Sequence, residues 1–261
     1  MRVHGTASHI AQSLRLDTYR LHAASNENTH LIAFDYRGWG YSSGTPSEKG
    51  VIIDGLTALD WVLQTAGVDP SRVLLVSQSL GTAIAIGVAT AYAEEHGDRP
   101  LAGIVTIAGF ASLRKLLGGY RLAGVLPLFA PLAPFPRFLD FFLRKCLRAE
   151  FNSEGRVRRL RELTRGTKFT MTFVHAVNDW EISSRQSWML FEVAVEEDGE
   201  VVVTGEASDC VWKRSECGAV RFFEGVWGGH NDVQKSDVAV RAVMEAWSIR
   251  GGERGDPMRL H

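Results

Sequence analysis

Residues 72–81 read Arg-Val-Leu-Leu-Val-Ser-Gln-Ser-Leu-Gly, and the chain then continues as Thr82-Ala83-Ile84-Ala85-Ile86-Gly87. An apolar run of this length, closed by a turn and followed by a longer stretch of small residues, reads as a buried strand feeding a helix. The five residues at the junction, Ser77-Gln78-Ser79-Leu80-Gly81, fit the turn that lifts a serine to the top of a sheet, whose usual pattern is G-x-S-x-G. Such a turn is so tight that the positions two before and two after the serine must be small. Ser77 replaces the usual first glycine. A five-residue pattern also arises by chance, as a plain serine-rich strand end, and it is the strand–turn–helix setting that favours the functional reading.

Outward from this turn the rhythm repeats. Residues 30–38, 101–110, 168–176 and 219–226 are further apolar runs that read as buried strands. Thr45-Pro46-Ser47-Glu48 reads as a helix start, with Thr45 capping, Pro46 in the first turn and Glu48 closing a capping box. Ile52, Leu56, Leu59 and Leu63 then recur at helical spacing, and a last helix is expected over about 232–248. Strands alternating with helices define an α/β protein with a mostly parallel central sheet flanked by helices. Residues 111–167 contain no strand signal and read as an inserted helical cap or lid. The core is therefore expected in two parts, 1–110 with the serine turn and 168–261 with the remaining site loops. The acidic stretch around 196–217 is expected to be a surface hairpin or loop.

Composition bounds the function. A 261-residue chain with 45% hydrophobic and 23% charged residues can bury a sizeable core without disulfide or metal staples. Its formal net charge of −1 argues against a general nucleic-acid binder. Cys146, Cys210 and Cys217 form no metal-ligand spacing, and no cofactor or metal is expected. The first residues lack the apolar core of a signal peptide. The apolar region 122–143 is broken by Pro127, Pro131, Pro134 and Pro136, which a spanning helix would not carry, and the final residues are not a peroxisomal SKL-type signal. A soluble, cytoplasmic protein is the expectation.

A serine hydroxyl needs a base, and the base needs a carboxylate to fix its tautomer. On sheets of this kind the chain order is Ser, then Asp or Glu, then His. Asp179 follows the strand expected at 168–176, in Asn178-Asp179. His230 follows the strand expected at 219–226, in Gly228-Gly229-His230. Ser79, Asp179 and His230 are thus the candidate catalytic residues, each in a loop after its strand. Asp179 could instead cap a helix, and His230 could be an ordinary loop histidine. His175 is expected to pack at its strand end.

Asp35-Tyr36-Arg37-Gly38-Trp39-Gly40-Tyr41-Ser42-Ser43-Gly44-Thr45-Pro46-Ser47-Glu48 resembles a stretch of the α/β-hydrolase branch that includes monoacylglycerol and lysophospholipid lipases and their fungal relatives. The likeness continues through Asp54, Asp60-Trp61, the serine turn, the Asp179 loop and His230. It implies an α/β-hydrolase fold, shortened on its N-terminal side because only Met1, Arg2 and Val3 precede His4. It further implies an oxyanion hole from the backbone N–H groups of Leu80 and of Thr6 or a neighbour, in His4-Gly5-Thr6.

The insert is dense in apolar side chains, among them Leu126, Phe129, Phe138 and Phe142, expected to line the substrate pocket. Its Lys and Arg residues outnumber its acids. They suit an anionic headgroup, hence a peripheral membrane contact, or they simply solvate the outer face of a lid packed on the body. The expected activity is serine hydrolysis of a small lipophilic ester or thioester through an acyl-enzyme. Two alternatives are kept: a biosynthetic acyl-transfer or lactone-forming enzyme of fungal secondary metabolism, and an impaired ligand-binding homologue.

Overall fold

A computed structural model of the chain describes residues 1–6, 9–24, 28–119, 121–122, 126–127, 149–195, 201–207, 210–215 and 220–248. The elements run in chain order as β1 (Arg2–Val3), α1 (Ser13–Ala24), α2 (Glu48–Asp60), β2 (Leu74–Gln78), α3 (Leu80–Glu95), β3 (Gly103–Ile107), α4 (Leu113–Gly119), β4 (Arg121–Leu122), β5 (Leu126–Pro127), α5 (Ser153–Leu163), β6 (Thr170–Ala176), α6 (Arg185–Val195), β7 (Val201–Ala207), β8 (Cys210–Ser215), β9 (Val220–Gly225), the short α7 (Gly229–Asp232) and α8 (Asp237–Ser248).

One sheet has the order β1-β2-β3-β6-β9-β8-β7. Its first five strands are parallel, with Ser77 opposite both Val3 and Thr106 and Val174 opposite both Ile107 and Phe223. The parallel strands read as unbroken apolar runs because both faces of the sheet are covered. Successive side chains serve opposite faces. Leu75, Ile104, Met171, Phe173 and Phe222 pack toward α2, α3, α5 and α6. Leu74, Val76, Val105, Val174 and Phe223 pack toward α8. This is the α/β-hydrolase fold, and it collects the loops after β1, β2, β6 and β9 at one edge, where open α/β sheets hold their sites.

Several sequence expectations are corrected. Residues 30–38 do not form a regular strand: their only ladder contact is a single bridge from Ala33 to Arg2. The two-residue β1 gives that segment almost nothing to pair with, so its apolar residues pack without a ladder. Helix α2 starts two residues later than expected, with Ser47 as its cap accepting from the Gly50 N–H at 3.1 Å. Glu48 closes no capping box. Its carboxylate accepts instead from the Glu150 and Phe151 N–H groups at 2.8 and 3.0 Å and pairs with Arg156 at 2.6 Å, tying α2 to the chain leading into α5. The buried line of α2 is Val51, Gly55 and Leu59, with Ile52 and Leu56 half-buried beside it.

The acidic segment is a β7–β8 hairpin that joins the sheet, antiparallel to β9. Within the stretch read as an insert, α5 packs on α3 and α6 through buried Val157 and Leu160. Among the described residues no helix is long and apolar enough to cross a membrane.

Candidate active site

Ser79 sits between β2 and α3 with φ 53° and ψ −125°, a conformation that costs a non-glycine residue about 1–3 kcal/mol. The turn is held open by its neighbours. The Ser79 N–H donates to Ile107 O at 3.0 Å, and the Ser79 carbonyl accepts from the Thr82 N–H and hydroxyl at 2.9 and 2.7 Å. Small residues flank it for a visible reason. Ser77 is fully buried and donates to Val105 O at 3.1 Å. At Gly81 a Cβ would lie 2.3 Å from Val3 O and 2.5 Å from His4 O, so a side chain there would collide with the β1 backbone. As the first residue of α3, Leu80 has an N–H with no acceptor inside the helix, at its electropositive end.

His230 lies in α7, just after β9, with Nε2 2.9 Å from Ser79 Oγ and Nδ1 2.8 Å from Asp179 Oδ2. Two contacts hold its loop: the Gly229 N–H donates to Asn178 Oδ1 at 2.9 Å, and Gln78 Nε2 donates to His230 O at 3.2 Å. Asp179 follows β6 and its side chain is buried. Its Oδ1 accepts from the Glu181 and Ile182 N–H groups at 2.9 and 2.8 Å, while Oδ2 faces His230 and, at 3.2 Å, His175 Nε2. Burial alone would raise its pKa. The hydrogen bonds from His175 and His230, the His230 charge and the Ile182 N–H outweigh it and hold the group far below the usual aspartate range.

The His4-Gly5-Thr6 loop after β1 lies against the serine. A Cβ on Gly5 would sit 2.7 Å from Gln78 Oε1 and 3.2 Å from Ser79 Cβ, so the loop approaches only as glycine. Tyr36 donates to His4 O at 2.8 Å, Arg15 to Gly5 O at 3.1 Å and Trp39 Nε1 to Thr6 O at 2.7 Å. Burial pushes His4 down to about 4, so it is neutral near pH 7. The Asp35–Trp39 stretch therefore supplies two of the three groups that hold this loop.

Ser79, Asp179 and His230 are brought together. Leu80 follows Ser79 at the start of α3, and Gly5, next to Thr6, is the residue of the β1 loop that lies against Ser79. Leu126 falls in β5, whose backbone alone is described, and Phe129, Phe138 and Phe142 lie outside the described residues. His175, packed at the end of β6 as expected, also touches Asp179. That contact, and its partner Ser187 on α6, were not anticipated. Only the i,i+4 spacing of His175 and Asp179 hinted at it. Among the described residues no group of three His, Cys, Asp or Glu side chains could hold a metal ion.

Residues 3–240 match the family model described as "Alpha/beta hydrolase family". The chain is 33% identical over 113 residues to the lysophosphatidylserine lipase ABHD12 of Macaca fascicularis, covering 43% of this chain and 27% of the relative. It is 33% identical over 133 residues to the protein YfhR of Salmonella typhi, covering 47% and 44%. The chain thus spans less than half the length of these relatives. Among solved structures, an alpha-beta hydrolase of Vibrio vulnificus superposes with a TM-score of 0.61 at 20% identity, covering 90% of this chain and 68% of that one. A monoacylglycerol lipase of Paleococcus ferrophilus gives 0.51 at 18% identity, covering 95% and 92%, a likeness of fold.

Proposed function

The chain belongs to the α/β-hydrolase family, and from that premise we propose that it is a serine hydrolase of carboxylic esters or thioesters. The observation that carries the reading is the Ser79–His230–Asp179 chain of contacts, at 2.9 and 2.8 Å, ending on a serine held in a strained backbone conformation. With Asp179 ionised, His230 takes the tautomer that has its proton on Nδ1, which leaves Nε2 to accept from the Ser79 hydroxyl.

Ser79 Oγ attacks the substrate carbonyl carbon as its proton passes to His230 Nε2, and the imidazolium is stabilised by the buried carboxylate. The carbonyl oxygen takes up the negative charge between the N–H groups of Leu80 and Thr6, at the N-terminus of α3. Collapse of the tetrahedral intermediate expels the alcohol or thiol, which takes the proton from His230. Water, deprotonated by the same imidazole, then attacks the acyl-serine, and the acid leaves with Ser79 restored.

The apolar insert favours a lipophilic acyl group, in keeping with a relative named for lysophosphatidylserine lipase activity. A fluorophosphonate probe tests the reading. It is expected to label the folded wild type and to leave Ser79→Ala unlabelled. A folded wild type that stays unlabelled, or an alanine variant that still labels, would overturn it.

A further inference from the structure

The carboxylate of Asp179 meets four donors, two on each oxygen: the Glu181 and Ile182 N–H groups on Oδ1, and His230 and His175 on Oδ2. Four is the number of lone-pair sites a carboxylate offers, so the group has one fully satisfied orientation. Three of these donors follow from the loop itself and from the proposed base. The fourth, His175, comes from inside β6 and is completely buried.

The surroundings of His175 fix which nitrogen carries its proton. Nε2 lies 2.9 Å from Ile182 O and 3.2 Å from Asp179 Oδ2, both acceptors, so Nε2 is the N–H and bridges them. Nδ1 lies 2.7 Å from Ser187 Oγ, and the Ser187 oxygen is itself within 3.2 Å of the Gly109 N–H. The relay is complete in one direction: the Gly109 N–H donates to Ser187 Oγ, the Ser187 hydroxyl to His175 Nδ1, and the His175 N–H to Ile182 O and Asp179. His175 and Ser187 are held by secondary structure, in β6 and α6, and Gly109 lies two residues beyond the end of β3.

From this geometry we infer that His175 is a positioning residue for the reaction proposed above. With the Glu181 and Ile182 N–H groups holding one oxygen of the Asp179 carboxylate, it holds the other in line with His230. Loss of His175 leaves Oδ2 with His230 as its only donor in a site closed to water. The carboxylate, still held at Oδ1 by the Glu181 and Ile182 N–H groups, can then tilt at Oδ2, and the His230 imidazole that it orients tilts with it. Misplacement of a catalytic group by about 1 Å is enough to cost on the order of a hundredfold in rate.

The inference rests on the proposed hydrolase reading, and its test is built so that the two fail separately. His175→Leu removes both hydrogen-bonding nitrogens at similar size, while His175→Gln returns an amide N–H near the position of Nε2. The first readout is the downfield proton resonance of the His230 Nδ1–H···Asp179 bond in the resting protein, which needs no substrate. Leucine is expected to shift or broaden it, and glutamine to return it toward the wild-type position. The second readout is ester hydrolysis: leucine lowers kcat by up to about a hundredfold at nearly constant KM, and glutamine recovers most of it.

A folded leucine variant with unchanged resonance and kcat would overturn the inference. So would two variants with equal losses of kcat that follow their melting temperatures, because a packing role would not distinguish them. Failure of the fluorophosphonate test would remove the proposed reaction, and the resonance would still report whether His175 orients the carboxylate.

Discussion

Two serine–histidine pairs meet at Asp179. Ser79 faces His230 at 2.9 Å, and Ser187 faces His175 at 2.7 Å. His230 turns Nδ1 to the carboxylate and Nε2 to its serine, whereas His175 is reversed, with Nε2 to the carboxylate and Nδ1 to its serine. The residue types are the same, so what separates the pairs is setting. Ser187 is fully buried inside α6, and its hydroxyl lies between the Gly109 backbone and the imidazole. Ser79 sits half-buried at a strained turn, where the first N–H of α3 and the β1 loop flank it. A serine, a histidine and an aspartate in a row are therefore not sufficient for a nucleophile. The serine must also face an open space with donors positioned for the oxyanion.

Alanine at each serine should divide the pairs most sharply. Ser79→Ala is expected to lower ester turnover by on the order of a millionfold, the scale seen when a triad nucleophile is lost. Ser187→Ala should still label with fluorophosphonate. Its effect belongs to stability, about 1–3 kcal/mol by denaturant unfolding, since His175 Nδ1 loses its buried donor. Turnover surviving in Ser79→Ala would place the chemistry elsewhere.

Asp179→Asn should strike both pairs at once. An amide cannot hold His230 in the required tautomer, so kcat is expected to fall about ten-thousandfold. The substitution also sharpens the acid limb of stability. Asp179 has a folded pKa held below its ordinary value of 3.8, so its stabilisation is present above that value and lost as pH falls toward the folded one. Unfolding by denaturant from pH 7 down to pH 3 should show the wild type losing stability more steeply at the acid end than the asparagine variant. Parallel curves would mean that another group sets the acid limb.

The two pairs were not equally legible in the sequence. The Ser79 turn, Asp179 and His230 could be read because each follows an apolar run and the order of the three is diagnostic. The second pair could not. Ser187 reaches His175 from α6, and Gly109 reaches Ser187 from beyond β3, and no local pattern reports such contacts. The same limit explains the corrections to the fold. A strand at 30–38 fails because its neighbour, β1, has only two paired residues. Glu48 abandons the capping role its position suggested because Arg156 and the Glu150 and Phe151 N–H groups, about a hundred residues away, occupy its carboxylate. Local chemistry set the helix starts and the site loops. Partners distant in the chain decided which polar side chains were free to play those parts.

The open pair depends on a loop that the buried pair does without, and Gly5→Ala tests that dependence. The added methyl would meet Gln78 Oε1 at 2.7 Å and Ser79 Cβ at 3.2 Å, so the loop must retreat from the serine. If Thr6 supplies an oxyanion donor, kcat should fall about a hundred- to a thousandfold. The His230–Asp179 resonance should move little, because the Gly229 N–H still donates to Asn178 and leaves His230 tied to the Asp179 loop when the methyl presses on Gln78. A marked change in the resonance would mean that the methyl acts through Gln78 on the His230 loop as well as on the oxyanion loop.

Trp39→Phe probes the same loop more gently. Trp39 Nε1 donates to Thr6 O at 2.7 Å, and the indole meets Tyr36 edge-on with ring centroids 5.7 Å apart. Phenylalanine keeps an aromatic ring against Tyr36 and deletes the donor together with the second ring of the indole. Thr6 is exposed, so water can replace the indole N–H on its carbonyl, and the cost of the lost donor is that of one ordinary hydrogen bond, about 0.5–1.5 kcal/mol. Since Tyr36 and Arg15 still hold His4 and Gly5, the loop should loosen only at Thr6. The expected result is a severalfold fall in kcat, well short of the loss in Gly5→Ala, with KM nearly unchanged. Equal losses in the two variants would identify the indole as the main support of the oxyanion loop. No loss at all would show that Tyr36 and Arg15 suffice, and that the open pair needs the loop's proximity but not the fixing of its last residue.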